Sequence, residues 1–163
     1  MMTAYFKKAD DEVIQLTQEL IDQYHPWLKQ YSVGVIFRSE RQVSGGRDIL
    51  GEASKVNDKT NALLPDDQRL DFLIWLAEDF WHDATDIERR ALLDHELCHC
   101  GENGKMRHHD VQEFVCIIER YGLWYPALRQ MAHAAQQHTL PGILEESRRG
   151  GKVISVNLAQ VPA

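Results

Sequence analysis

The sequence predicts a single α+β domain, in which helices and strands share one hydrophobic core. Short runs of β-branched and aromatic residues are typical of strands, and longer segments with apolar residues at every third or fourth position are typical of helices. The chain has 163 residues, of which 44% are hydrophobic and 26% are charged. This length is sufficient for one domain with one core.

The N-terminal half contains both patterns. Apolar residues three and four apart predict a helix over residues 10–24, and Pro26 ends it because proline disfavours helix in the residue before it. Residues 32–38 form a β-branched and aromatic run that predicts a strand. The following segment is ambiguous, with candidate short strands at residues 49–53 and 61–64.

The C-terminal half is predicted to be mostly helical. It begins with the clearest strand candidate, residues 70–75, and the run through residues 80–81 is interpreted as strand followed by an irregular connection. Periodicity and end signals then predict three helices, over residues 86–100, 110–120 and 126–138.

The most informative motif is H-E-x-x-H, formed by His95, Glu96 and His99. On a helix, residues four apart share a face, so the two imidazoles can bind one metal ion while Glu96 lies beside them as a candidate general base. Thr85 and Glu88 form a capping box that begins this helix. The spacing therefore predicts a zinc site with a proton acceptor next to it.

A catalytic zinc usually takes three protein ligands and water, and three downstream residues are candidates for the third. His109 is preferred, because it follows a glycine-containing loop and directly precedes Asp110, which we expect to cap and anchor the next helix. His108 is the second candidate. Glu113 is the third, because it has another explanation as the capping-box partner of Asp110.

Other polar residues near the motif have weaker functional interpretations. Asp94 can orient a ligand imidazole, although an aspartate at such a position is more often solvated. Cys98 and Cys100 are interpreted as packing residues. A phenol from Tyr121 or Tyr125 is a candidate donor to an oxyanion.

The bulk properties exclude several classes of protein. A net charge of −7 and a pI of about 5.6 argue against general nucleic-acid binding, because nothing offsets the phosphate charge. The sequence contains no apolar run of membrane-spanning length and no signal-peptide core. Three cysteines do not predict a disulfide framework, so a reducing cytoplasm is the expected compartment. The sequence does not indicate the oligomeric state.

Three stretches of the sequence resemble the phage metallopeptidase family, a small family from bacteriophages and prophages. They are residues 91–100, 109–114 and 120–124, and the strand segment 71–74 fits the same pattern. The resemblance covers residues 10–130 approximately. The H-E-x-x-H part is shared by many zincins, whereas the later stretches are more specific to this family.

The resemblance implies a minimal zincin-like fold, with a small mixed sheet packed on helices that include the motif helix. It predicts one domain over residues 1–144, followed by a C-terminal tail, residues 145–163, that is expected to be extended. Residues 139–163 have no counterpart in the family. A looser similarity to SprT-like zincins, whose third ligand is also a downstream histidine, supports the choice of His109.

The leading hypothesis is a zinc-dependent metallopeptidase, with zinc held by His95, His99 and His109 and with Glu96 as the base that acts on metal-activated water. A peptide or protein substrate is expected to add as a strand along an edge near residues 70–75. One alternative is a metal-stabilised binding or inhibitor module of phage origin, which would need a closed site. The other is a SprT-like DNA-associated protease, which would need a basic element.

Overall fold

The structure is a computed structural model, and it describes residues 3–109 and 113–137. The chain divides into two units, Met1–Trp124 and Tyr125–Ala163, and each is described by itself. The first unit contains the sheet and the motif helix. The described part of the second unit contains one helix, and the predicted tail over residues 145–163 lies outside the described residues.

The described residues of the first unit form six strands, five α-helices and two short 3-10 helices, Pro26–Gln30 and Asp66–Gln68. The strands are β1 (Phe6–Lys8), β2 (Val33–Arg38), β3 (Gln42–Ser44), β4 (Arg47–Ile49), β5 (Gly51–Lys55) and β6 (Phe72–Ala77). The helices are α1 (Asp11–Tyr24), α2 (Asp58–Asn61), α3 (Glu78–Asp83), α4 (Asp86–Cys98) and α5 (Val115–Tyr121). The second unit contributes α6 (Pro126–Gln137).

Four strands form a mixed sheet in the order β1-β2-β6-β5, and β3 pairs with β4 in a separate hairpin. Strands β2 and β6 are parallel, whereas β1 and β5 pair antiparallel with their neighbours. The predicted α+β class with a small mixed sheet is therefore confirmed. The strand predicted at residues 70–75 is present as β6, but its placement at an edge is wrong, because β6 has a partner on both sides.

The motif helix α4 lies at the centre of the first unit, where it contacts β5, β6, α1 and α5. The predicted capping box is confirmed: the Thr85 hydroxyl accepts a hydrogen bond from the amide of Glu88, and the Glu88 carboxylate accepts one from the amide of Thr85. Leu93 and Leu97 are fully buried on the inner face of α4. The helix is thus fixed at its start by the cap and along its length by the core.

Two predicted segments differ from the structure. Residues 78–83 form helix α3 rather than an extended run. The carboxylates of Glu78 and Asp79 lie in its first turn, where the positive end of the helix dipole stabilises them. Trp81 then packs edge-on against Phe37 of the sheet. The strand predicted at residues 61–64 is also wrong. Asn57 caps the short helix α2, which occupies this part of the chain and ends at Asn61. None of the helices in the described ranges is long and apolar enough to cross a bilayer.

Candidate metal centre

Three imidazoles converge beside the end of α4. His95 comes from the last turn of the helix, His99 is its C-terminal cap, and His109 comes from the loop that follows. One donor nitrogen of each ring lies within 4.8 Å of the other two, and the Nε2 atoms of His95 and His109 are 3.0 Å apart. The residues that the sequence predicted as metal ligands are therefore brought together, whereas His108 is not part of this cluster in the described chain.

The loop between the histidines turns the chain back by a tight set of backbone contacts. Cys100 and Met106 form an antiparallel bridge, and the amide of Arg107 donates to the carbonyl of His99 over 2.7 Å. Gly104 has a φ of +69°, a left-handed conformation that favours glycine, and it packs on Tyr31. This loop delivers His109 to the two imidazoles of α4.

Hydrogen bonds fix which ring nitrogen carries the proton. The Nδ1 of His99 lies 2.7 Å from the carbonyl of Arg107, which can only accept, so Nδ1 must donate. The Nδ1 of His95 donates in the same way to the Glu113 carboxylate. Burial lowers the pKa of His99 to about 4, which keeps that ring neutral. Burial opposes a charge on His95, but the hydrogen bond to Glu113 raises the pKa of His95 above its ordinary value. Because Nδ1 is the donor in both rings, Nε2 is the nitrogen that carries the lone pair for a metal when the ring is neutral.

Glu113 supports His95 and is not a capping-box residue. Helix α5 begins at Val115 with Phe114 as its N-cap, so the predicted helix start at Asp110 is wrong, and Asp110 itself lies outside the described residues. The Glu113 carboxylate also accepts from the Phe114 amide at 2.8 Å and from Trp124 Nε1 at 3.2 Å. Burial alone would raise the pKa of Glu113, but the hydrogen bond from His95 holds it below its ordinary value.

Replacing Glu113 by glutamine should weaken metal binding without removing the cluster. The glutamine oxygen still accepts from His95, but the lost negative charge leaves that imidazole a poorer ligand, so we expect the Kd for zinc to rise about 10–100-fold. Competition with a zinc chelator measures the Kd. Glu119→Gln is the matched control, because it removes the same charge from an exposed position on α5. An unchanged Kd in Glu113→Gln would contradict this role.

Glu96 is buried beside the cluster, with only 4% of its surface exposed. Its carboxylate accepts a hydrogen bond from the backbone amide of Ala53 in β5, and burial raises its pKa to about 7. Its Oε2 atom has no hydrogen-bond partner in the part of the chain that the structure describes. A buried carboxylate oxygen without a partner is an acceptor that a water molecule or a substrate can use.

The sequence suggested that Asp94 orients a ligand imidazole, but in the structure its carboxylate does not bond to His95. Its fully buried carboxylate accepts from His25 Nε2 at 2.5 Å, from Arg120 Nη1 at 2.8 Å and from the Tyr121 hydroxyl at 2.9 Å. Burial opposes its ionisation, but these partners, His25 first, hold the pKa of Asp94 below its ordinary value. Tyr121 is thus committed to Asp94, and the suggested oxyanion role for its phenol is not supported.

The cysteines near the motif are buried thiols. Burial raises the pKa of Cys98 far above its usual range and that of Cys100 to about 12, as expected for packing residues. Cys98 also forms, with His25 and Asp94, a second group of donor atoms within 4.8 Å of one another. The Arg120 cation on the Asp94 carboxylate disfavours a metal ion there.

Fold and site together define a class of protein: an α+β domain whose motif helix presents two imidazoles and a buried glutamate, as in metal-dependent hydrolases. The family model described as "Putative phage metallopeptidase" matches residues 4–136. The chain therefore belongs to the phage metallopeptidase family, and the resemblance seen in the sequence is confirmed. Membership implies a metal ion. No curated protein and no solved structure matches the chain.

Proposed function

We propose that the protein is a zinc-dependent metallopeptidase that cleaves peptide bonds in a peptide or protein substrate. One observation carries the proposal: three imidazoles present donor nitrogens to one point, next to a buried glutamate with a free oxygen. A structural metal site needs no such acceptor. The combination is what hydrolysis by an activated water requires.

The donor set fits a catalytic zinc. His95, His99 and His109 would hold the ion, and among the described residues they form a set of three imidazoles, one of the usual sets for zinc that keeps a position open for chemistry. When bound, zinc lowers the pKa of a coordinated water and polarises a carbonyl group. Glu113 and the carbonyl of Arg107 would keep His95 and His99 in the tautomer that binds metal.

Glu96 would move the proton during hydrolysis. Its free Oε2 would accept a proton from the attacking water and then donate it to the leaving amine. Burial places its pKa at about 7, which suits a group that must both accept and release a proton near neutral pH. The hydrogen bond from Ala53 would keep the carboxylate in place through both steps.

The substrate is proposed to bind along β5, which corrects the strand expected from the sequence. Ala77 donates to the Leu50 carbonyl at 2.7 Å, and Val56 donates to the Asp71 carbonyl at 2.9 Å, so alternate residues of this strand bond to β6. The backbone groups of residues 51, 53 and 55 therefore face away from β6, and one of them, the amide of Ala53, is already bonded to Glu96. An extended peptide can pair with the remaining groups of this edge, which passes directly beside Glu96.

Neither alternative function gains support from the described residues. A binding module without turnover would have a closed site, whereas the cluster has three histidines and an acceptor with a free oxygen. A DNA-associated protease would need a basic element, and the net charge of the chain is −7. We propose a cytoplasmic location, which is the host cell cytoplasm for a phage-encoded protein, because three free thiols are compatible with a reducing compartment.

The metal content of a histidine series tests the site. Purified protein should hold about one zinc per chain, and His95→Ala, His99→Ala and His109→Ala should each lose most of it, because each removes one donor of the cluster. His108→Ala is the matched control, since it removes the neighbouring histidine and should keep the metal. Elemental analysis after dialysis measures the content.

The same series separates the candidates for the third ligand. Full zinc retention in both His95→Ala and His99→Ala would overturn the site assignment. A site that empties in Glu113→Gln but stays loaded in His109→Ala would make Glu113 the third ligand in place of His109.

A further inference from the structure

The carboxylate of Glu96 lies against the backbone of β5 at Gly51. A Cβ atom built at this glycine would lie 2.9 Å from Glu96 Oε1 and 3.1 Å from Glu96 Cγ. It would also lie 3.1 Å from the carbonyl oxygen of Trp75, which is part of the sheet and cannot move aside. A side chain at position 51 would therefore force Glu96 to shift.

Position 51 requires glycine because there is no room for a side chain, and not because of its backbone conformation. The glycines with positive φ in the described residues are Gly45, Gly46, Gly104 and Gly122. Gly51 is not among them, so its backbone conformation is one that any residue can adopt. Glycine in the interior of a strand is unfavourable, and it often marks a close approach of another group. Here that group is the glutamate of the H-E-x-x-H motif.

Gly51 and Ala53 lie two residues apart on β5, and both face the Glu96 carboxylate: Gly51 leaves room for it, and the amide of Ala53 donates to it. The amide of Ala53 donates to Glu96, and since Oε2 has no partner among the described residues, Oε1 is the oxygen that accepts. Oε1 is also the atom that a Cβ at position 51 would meet. The strand thus fixes one oxygen of Glu96 and leaves the other free.

We propose that Gly51 is a positioning residue for Glu96: by lacking a side chain, it lets Oε1 reach the amide of Ala53 and so presents Oε2 to the reacting water. The inference rests on the proposed function, which it deepens. It makes β5 a strand with two roles, since the edge that is proposed to bind substrate also orients the base.

Turnover of fluorescein-labelled casein, an unfolded protein, by the zinc-loaded enzyme tests the proposal. A misplacement of about 1 Å can cost about 10²-fold in rate, so Gly51→Ala should lower kcat by about that factor with KM and zinc content little changed. Gly34→Ala in β2 is the matched control. Its Cβ would meet a Leu70 methyl at 2.7 Å, which is the flexible end of a side chain far from Glu96 in sequence.

The backbone amide resonance of Ala53, measured in 15N–1H spectra of the zinc-loaded protein, tests the same contact without relying on enzyme activity. Gly51→Ala should shift it by weakening the hydrogen bond to Glu96, and Gly34→Ala should leave it in place. If wild-type protein shows no turnover, the proposed function fails. The positioning contact is overturned separately, by an Ala53 resonance that is unchanged in Gly51→Ala.

A double-mutant cycle distinguishes positioning from general damage to the strand. Glu96→Asp shortens the side chain and relieves the clash with a Cβ at position 51. It should therefore cost less kcat in the Gly51→Ala background than in wild type. Equal costs in both backgrounds would show that the two residues act independently, and the proposal would be wrong.

Discussion

Glu96→Gln is expected to lower peptide hydrolysis by about 10²–10⁴-fold, which is the usual contribution of a positioned general base. Glutamine has nearly the same shape, and its amide oxygen can still accept from Ala53, so the fold should persist. It cannot take a proton from water. Zinc content should also persist, because the donor atoms belong to the three histidines.

Turnover of labelled casein and elemental analysis of the same sample test this result. Glu119→Gln is the matched control, because it makes the same change at an exposed position on α5 and should retain full activity. If Glu96→Gln kept the full biological effect of the wild-type protein, catalysis would not be the function, and the binding module would be the better explanation. Loss of zinc in this variant would place Glu96 among the ligands.

Asp94→Ala is expected to lower the free energy of unfolding by about 3–5 kcal/mol, the usual cost of removing one partner of a buried ion pair. The carboxylate, which belongs to α4, bonds to groups from two other segments: His25 follows α1, and Arg120 and Tyr121 belong to α5. Without Asp94, all three donors lose their acceptor, and the Arg120 cation remains uncompensated. Urea unfolding of the zinc-loaded protein measures the loss.

Asp86→Ala is the control for this prediction. It removes the same charge from the first turn of the same helix, but the Asp86 side chain is 97% exposed, so only about 0.3–1 kcal/mol of helix-dipole stabilisation should be lost. A loss in Asp94→Ala as small as that of the control would show that the buried network adds little stability.

The motif helix could be predicted from the sequence because everything that defines it is local. The capping box joins residues three apart, and His95 and His99 share a face because they are four apart. The arrival of His109 could be anticipated for a similar reason, since a short loop with glycine returns the chain to the helix it has just left.

Glu113 shows where such reasoning fails. Its spacing from Asp110 matches a capping box, and no local signal indicates that the carboxylate instead turns inward to His95 and Trp124. Asp94 was misjudged for the same reason, because its partner His25 lies 69 residues away. A signal was present at Gly51, a glycine inside a candidate strand, but the sequence alone could not identify what approaches it.

The sequence by itself therefore determined the family, the α+β class and the residues able to form the metal site, because composition, periodicity and short spacings are properties of the chain. The tertiary structure decided the rest. It made β5 and not β6 the edge strand beside Glu96, assigned Glu113 to His95, and gathered three donors onto Asp94. These choices depend on which distant segments pack together, and packing is set by the burial of the whole core.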